Sequence, residues 1–185
     1  NAFESRVSFD LELIEDQGEM FRDIIADFWR KNFYGNNEIF GAALGFCGCG
    51  PDGLVEFAKS AVSKPEMELV ANEAFKVSDE EIKKRIVELA ETVKAVKTSS
   101  RTNRVNLALL EQLKAVDLSR MDAAKAVHVL NLIQRNSIES IKQDKKLFND
   151  SVATSVKKAL FDHIRRDRPL ESRKRALRLQ SYDDM

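Results

Sequence analysis

Residues 78–98 read SDEEIKKRIVELAETVKAVKT, with a helix-start signal at one end and an apolar seam along the length. Ser78 followed by Glu81 is a capping box, in which side chains satisfy the first free amides of a helix. The apolar residues recur at spacings of four and three: Ile82, Ile86, Leu89, Val93 and Val96. Such spacing gives a helix one apolar face that packs against a partner helix. The pattern predicts a helix from Ser78 to about Thr98.

The rest of the chain also has a composition that favours helices. No glycine follows Gly53, and the only later prolines are Pro65 and Pro169. Because these two residue types mark turns, their scarcity predicts successive helices with short connections. Proline favours the first turn of a helix, so we expect one helix from Ser63 to Phe75 and a last one from Pro169 to about Gln180. We predict an all-α, antiparallel multi-helix bundle of seven to nine helices.

The N-terminal section has a different character. Residues 6–13 alternate polar and apolar side chains, which predicts one short strand, although no partner strand is evident. Apolar residues at helical spacing then predict a helix from Glu19 to about Lys31. Residues 35–53 hold six of the seven glycines, so we expect a Gly-rich loop there, followed by a helix that begins near Leu54.

Size and composition indicate one soluble globular domain of 185 residues, 43% of them hydrophobic and 32% charged. We divide it into an acidic, aromatic- and Gly-rich section (1–62), a bundle core (63–168) and a basic C-terminal helix or tail (169–185). No apolar run is long enough for a transmembrane segment. Two cysteines are too few for a disulfide framework, which favours a reducing, cytoplasmic location. A further interpretation is that the chain is a scaffolding piece of a larger protein.

Charge is distributed unevenly along the chain although its net value is zero. Residues 1–28 hold eight acidic residues against two arginines, whereas residues 157–178 hold nine Lys or Arg against three acidic residues. Arginine binds phosphates and carboxylates through its forked guanidinium. We therefore assign partner binding, to an acidic protein or a nucleic acid backbone, to Arg165, Arg166, Arg168, Arg173, Lys174, Arg175 and Arg178. The alternative is that this segment packs on the acidic section of its own chain or is a solvated, partly disordered tail. The opposed charges also allow a homo-oligomer.

The segment Gly48-Cys-Gly-Pro-Asp-Gly53 satisfies the pattern G-x-G-x-x-G ahead of an expected helix, with Glu73 twenty residues further on. Locally it resembles the Rossmann fingerprint of flavin and nicotinamide enzymes. That resemblance implies a bound dinucleotide at Gly48, Gly50 and Gly53, with its pyrophosphate at a helix N-terminus. The fingerprint belongs to a sheet of several strands, whereas residues 78–180 predict helices. A glycine-rich connection between helices is the alternative.

Few other residues suggest chemistry. Cys47 and Cys49 lack the further closely spaced ligands of a zinc site. Cys49, near the start of an expected helix, could act as a thiol nucleophile or pack as a small apolar residue. His128 lies in an apolar run and is expected in the core, and His163 lies among basic residues and is expected in solvent. We assign no catalytic or metal-binding residue and no cofactor. The sequence favours a non-catalytic binding or assembly module over a dinucleotide-binding or thiol-dependent enzyme that uses residues 47–53.

Overall fold

The computed structural model describes residues 12–14, 17–35, 37–64, 66–69, 74–98, 102–177 and 179–181. Within these residues the chain forms eight helices, which confirms the all-α class and lies inside the predicted range. The helices are α1 (Gly18–Phe33), α2 (Glu38–Phe46), α3 (Asp52–Ser63), α4 (Asp79–Lys94), α5 (Arg104–Ala115), α6 (Ala123–Arg135), α7 (Glu139–Asp167) and α8 (Pro169–Leu177). Two three-residue strands, β1 (Glu12–Ile14) and β2 (Leu179–Ser181), accompany them.

Short polar side chains begin several helices. The Ser78 side chain accepts a hydrogen bond from the Glu81 amide at 3.4 Å, as the capping box predicts. Asn103 Oδ1 accepts from the amides of Val105 and Asn106, and Asp122 Oδ1 accepts from the Lys125 amide at 2.7 Å. Each cap satisfies amides that have no partner inside the helix. These local contacts fix where α4, α5 and α6 start.

The prediction of a Gly-rich loop at residues 35–53 is wrong for residues 38–46. These residues form helix α2, which lies at the centre of the fold. Ile39, Phe40, Ala43 and Leu44 are buried, and α2 contacts α1, α4, α6 and α7. A glycine costs a helix about 1 kcal/mol relative to alanine. Burial of one large apolar side chain contributes about 1.5–3 kcal/mol. Burial therefore outweighs the cost of Gly41 and Gly45, and the segment folds as a helix.

The connection between α3 and α4 corrects a second expectation. Helix α3 continues to Ser63, and the described residues of the predicted helix from Ser63 to Phe75 form a turn and irregular structure after that point. Ser155 on α7 accepts a hydrogen bond from the Phe75 amide at 2.9 Å, and the rings of Phe75 and Phe40 lie 5.8 Å apart. These tertiary contacts hold Phe75, at the end of the connection, against α2 and α7.

The C-terminal end differs from the sequence prediction in its last residues. The predicted final helix stops at Leu177, and β2 pairs in parallel with β1, with Glu12 opposite Leu179 and Ile14 opposite Ser181. The expected strand at residues 6–13 is thus present at its end, and residues 6–11 lie outside the described residues. Parallel pairing needs a long crossover, here the whole bundle, so local sequence could not identify the partner strand.

One hydrophobic core takes side chains from all eight helices, from Met20 on α1 to Leu170 on α8. The predicted seam of α4 lies in it, with Ile82, Ile86, Leu89 and Val93 buried. In the part of the chain that the structure describes, no helix has the length and apolarity that crossing a membrane requires. The core joins α1, α3, α7 and α8 near the C-terminal end of α7, where the candidate site lies.

Candidate binding site

The structure divides the predicted basic segment between internal and exposed positions. Arg173 forms ion pairs with Asp23, at 3.4 Å, and with Asp27, both on α1. Lys174 is buried. These two residues thus lie against the chain itself, as the alternative interpretation of the segment expects. Arg178 lies outside the described residues.

The remaining arginines are more accessible, but acidic residues separate them. Arg165 donates a hydrogen bond to the Lys64 carbonyl oxygen at 2.8 Å, and its guanidinium lies 5.1 Å from the centre of the Phe161 ring. Arg166 lies 3.9 Å from the Asp162 carboxylate, and Arg168 and Arg175 are exposed. Asp167 and Glu171 lie between these arginines in sequence, and Asp162 precedes them. The segment therefore presents individual arginines instead of a continuous basic face.

A cavity of about 220 Å³ lies between α1, α3, α7 and α8, and we call it the arginine cavity. Apolar side chains from four helices form much of its lining: Phe21, Ile24, Ala61, Val62, Ile164, Pro169 and Leu170. Arg165, Arg168 and Glu171 complete it. The two arginines belong to the predicted set, whereas the apolar residues come from helices that are distant in sequence. No local pattern in the sequence could have grouped them.

Arg168 ends α7 in an unusual backbone conformation, with φ of 43° and ψ of 55°. It is the one described residue other than glycine with a positive φ. This left-handed region costs an L-residue roughly 1–2 kcal/mol. Pro169 begins α8 directly after it, so the chain turns sharply at Arg168. The turn places Arg168 beside the cavity together with Arg165, which lies three residues earlier in the last turn of α7.

The composition of the arginine cavity defines the chemistry of a ligand. The lining contains two arginines and one acidic residue, Glu171, so its net charge is positive and favours an anion. The apolar part favours a group without charge. Pockets for small-molecule ligands usually measure about 300–1,000 Å³, and this cavity is smaller. It suits a single apolar side chain flanked by carboxylates.

The loop at residues 47–53 has a structural explanation. Helix α2 ends in a Schellman motif: the Gly48 amide donates to the Gly45 carbonyl at 3.2 Å and the Cys49 amide to the Leu44 carbonyl at 2.9 Å. Gly48 has φ of 66°, which glycine adopts without strain. A Rossmann fingerprint follows a strand, whereas this segment follows helix α2. The end of α2 accounts for Gly48 without a bound phosphate.

The two cysteines are poorly suited to nucleophilic chemistry. Burial, together with the neighbouring Cys49, raises the pKa of the Cys47 thiol to about 12. Burial also raises the pKa of Cys49, against the lowering effect of Lys157. The Cys47 thiol donates to Asn149 Oδ1 at 3.2 Å. Since the thiolate is the reactive form, both residues are largely inert near neutral pH. No group of three or more potential metal ligands occurs among the described residues.

Both histidines occupy positions that differ from those expected. His128 is exposed on α6 and is not in the core. His163 is half-buried: its Nδ1 lies 2.6 Å from Asp167 Oδ2, and its ring centroid lies 5.6 Å from that of Phe28. The spacing of His163 and Asp167, four residues apart on a helix, is the signal that could have predicted their contact. Phe28 comes from α1, so the ring contact required the tertiary structure.

We compared the chain with families of known proteins, with curated proteins and with solved structures, and it matches none of them. Function must therefore be argued from the geometry of the chain's own residues. The arginine cavity is the site that we use for this argument, because it combines charged and apolar side chains.

Proposed function

We propose that this protein is a non-catalytic binding module that holds an acidic segment of a protein partner at the arginine cavity. One apolar side chain of the partner enters the cavity, and carboxylates next to it pair with Arg165 and Arg168. The observation that carries the proposal is a cavity of about 220 Å³ whose lining combines Arg165 and Arg168 with apolar side chains from four helices. Interfaces commonly rest on one such buried anchor surrounded by polar contacts.

Contacts within the chain hold one of the two arginines, Arg165, in place before a partner arrives. Arg165 is fixed by the Lys64 carbonyl oxygen and by the Phe161 ring. The backbone of Arg168 is left-handed and is followed by Pro169, and its side chain is exposed. Side chains that are already ordered lose less entropy on binding, which increases affinity. The strained backbone at Arg168 supports a role in binding, because strain of this kind often accompanies functional positions.

The surroundings favour a protein partner over a nucleic acid backbone. Binding to a nucleic acid backbone rests on several phosphate contacts from Lys or Arg, whereas Asp167 and Glu171 offset part of the positive charge here and Arg173 is paired with Asp23 and Asp27 of α1. Phosphates would also leave the apolar lining of the cavity unused. An acidic peptide with one large apolar residue uses both features of the site.

The test is selection from a displayed library of random peptides with the purified protein as bait. We expect the enriched sequences to share a Phe, Leu, Ile or Met flanked by Asp or Glu. The paired change Arg165→Glu and Arg168→Glu reverses both charges and should weaken the selected peptides about tenfold or more, since it sets like charges against them. Fluorescence anisotropy of labelled peptides gives the affinities.

Arg166→Glu and the single change Arg165→Glu are compared as a matched pair, because each reverses one charge on the last turn of α7 and Arg166 lies outside the cavity lining. Arg166→Glu should alter the affinity far less than Arg165→Glu does. Melting curves of each variant verify that it folds. The proposal fails if the selected peptides share no acidic and apolar motif, or if they bind the paired variant as well as the parent. It also fails if the protein instead binds duplex DNA in a salt-dependent manner and selects no peptide.

A further inference from the structure

A second recess lies on another part of the molecule, between α4 and the connection from α5 to α6. Its volume is about 490 Å³, more than twice that of the arginine cavity and within the usual range of ligand-binding pockets. We call it the α4 groove. Neither the predicted basic segment nor the loop at residues 47–53 contributes a residue to it.

The apolar lining of the α4 groove comes from three half-buried side chains: Val87 on α4, and Leu118 and Met121 on the connection. Methionine is unbranched and flexible, so it adapts to side chains of different shape and is common at surfaces that bind helices. Together the three side chains provide an apolar strip that an incoming apolar face can cover.

Cations line the same groove on both sides of the strip. Lys83 and Lys84 lie on α4, and Arg120 lies on the connection. Among the described residues, no side chain forms an ion pair or a hydrogen bond with any of these three. Glu88 is the acidic residue of the lining, and its carboxylate lies 3.9 Å from the guanidinium of Arg85, with which it forms an ion pair. The groove therefore carries unmatched positive charge around an apolar strip.

Hydrogen bonds hold the connection that forms one side of the groove. Lys94 Nζ donates to the Val116 carbonyl oxygen at 3.2 Å. Asp117 Oδ1 accepts from the Ser119 amide at 2.9 Å, and Asp122 caps α6. These bonds fix both ends of the segment that carries Leu118, Arg120 and Met121. A surface that is already ordered binds at a lower entropic cost.

We infer that the α4 groove binds an acidic amphipathic helix of a partner protein. Apolar residues four positions apart on that helix would lie on Val87, Leu118 and Met121, and its flanking carboxylates would face Lys83, Lys84 and Arg120. This is the helix-in-groove mode of recognition, in which an apolar face gives affinity and the flanking charges give orientation. A nucleic acid backbone matches the cations but leaves the apolar strip exposed.

The test uses methionine methyl groups as local reporters. The chain has four methionines, Met20, Met67, Met121 and Met185, so protein labelled with ¹³C at these methyl groups gives a simple spectrum. The probe is a synthetic amidated peptide of Glu, Ala and Leu, roughly four helical turns long, with leucines at i and i+4. We expect saturable shifts of the Met121 signal, assigned with Met121→Leu, and no shift of Met20, which is buried in α1.

Charge reversal identifies the surface that binds. Lys83→Glu with Lys84→Glu, or Arg120→Glu, should raise the dissociation constant about tenfold. Lys158→Glu is the matched control, because Lys158 is an exposed lysine on α7 outside the groove and its reversal should have little effect. Arg165→Glu with Arg168→Glu should also leave the Met121 titration unchanged, which separates this surface from the arginine cavity.

Three results would overturn the inference. The first is a Met121 signal that does not move at millimolar peptide. The second is equal binding of a scrambled peptide of the same composition, which would show attraction to charge without recognition of an amphipathic face. The third is a Met121 shift produced by duplex DNA but not by the peptide, which would assign the groove to nucleic acid.

Discussion

Asn37 and Asp79 cap each other's helices, although 42 residues separate them. The Asp79 amide, the first of α4, donates to Asn37 Oδ1 at 3.0 Å. In return, Asp79 Oδ1 accepts from the amide of Phe40, in the first turn of α2, at 2.9 Å. The Asn37 side chain also donates to the Asn32 carbonyl oxygen at 2.6 Å. One small cluster thus joins the end of α1 to the starts of α2 and α4.

Replacement of Asp79 tests this reciprocal cap. Asp79→Ala leaves the Phe40 amide without its acceptor and should lower the free energy of unfolding by about 1–2 kcal/mol. Asp79→Asn keeps an acceptor oxygen and should lower the free energy of unfolding by a smaller amount. Chemical denaturation followed by circular dichroism measures both. Glu80→Ala, an exposed position on the same turn of α4, is the control and should change stability by less than about 0.5 kcal/mol. Equal effects of Asp79→Ala and Glu80→Ala would refute the role of the cap.

Gly45 and Gly48 form a matched pair that tests the structural explanation of the glycine loop. Gly45 lies inside α2, is exposed, and an added methyl group would meet no atom within 4 Å. Gly45→Ala should therefore stabilise the protein by about 0.5–1 kcal/mol through helix propensity. Gly48 has a positive φ, so Gly48→Ala should destabilise it by roughly 1 kcal/mol. Urea denaturation of the two variants gives both values. Stability unaffected by Gly48→Ala would argue against the Schellman motif as the reason for this glycine.

Local signals in the sequence account for what could be predicted of the fold. Ser78 and Glu81 start α4, and Ile82 and Ile86 are buried on its apolar face, because capping and periodicity act within a few residues. Local sequence does not predict helix α2, because the helix is stabilised by burial against α4 and α6, which lie far along the chain. Glycine content is a local signal, and here tertiary packing overrides it.

The candidate site was predictable only in its charges. Arg165 and Arg168 stand out in the sequence as part of a basic run. The cavity that they line is completed by Phe21 and Ile24, which belong to α1. Arg173 forms ion pairs with Asp23 and Asp27, which also belong to α1. Composition alone cannot separate an arginine that binds a partner from one that holds two helices of its own chain together.

Arg168→Gly should separate stability from binding. Glycine adopts the left-handed backbone without the strain of roughly 1–2 kcal/mol that an L-residue bears. Its greater freedom in the unfolded chain offsets roughly 0.5–1 kcal/mol of that gain. We expect the melting temperature to stay the same or to rise by a few degrees. Affinity for the peptides selected at the arginine cavity should fall about tenfold, because one of the two guanidiniums is gone.

Arg166→Gly provides the opposite pattern as a control. Arg166 lies inside α7, where glycine should cost about 1 kcal/mol, and it does not line the arginine cavity. This variant should melt earlier and bind the same peptides with little change. If Arg168→Gly lowers stability and leaves binding intact, Arg168 is a structural residue of the α7 to α8 turn.

The raised pKa of Cys47 predicts slow alkylation and a loss of stability at high pH. With a pKa of about 12, Cys47 is almost entirely the thiol at pH 8, so iodoacetamide should modify it at least about a hundredfold more slowly in the native protein than in denaturant. Mass spectrometry after timed quenching measures both rates.

The same raised pKa predicts how stability depends on pH. Because the folded state holds the Cys47 proton more tightly than the unfolded state, its contribution to stability is complete below pH 9.0 and is lost as pH rises towards 12. Cys47→Ser keeps a hydroxyl donor for Asn149 but does not ionise in this range, so its stability should fall less steeply above pH 9 than that of the parent. Parallel pH profiles of the two proteins, or native alkylation as fast as in denaturant, would show that Cys47 is not the protected thiol described above.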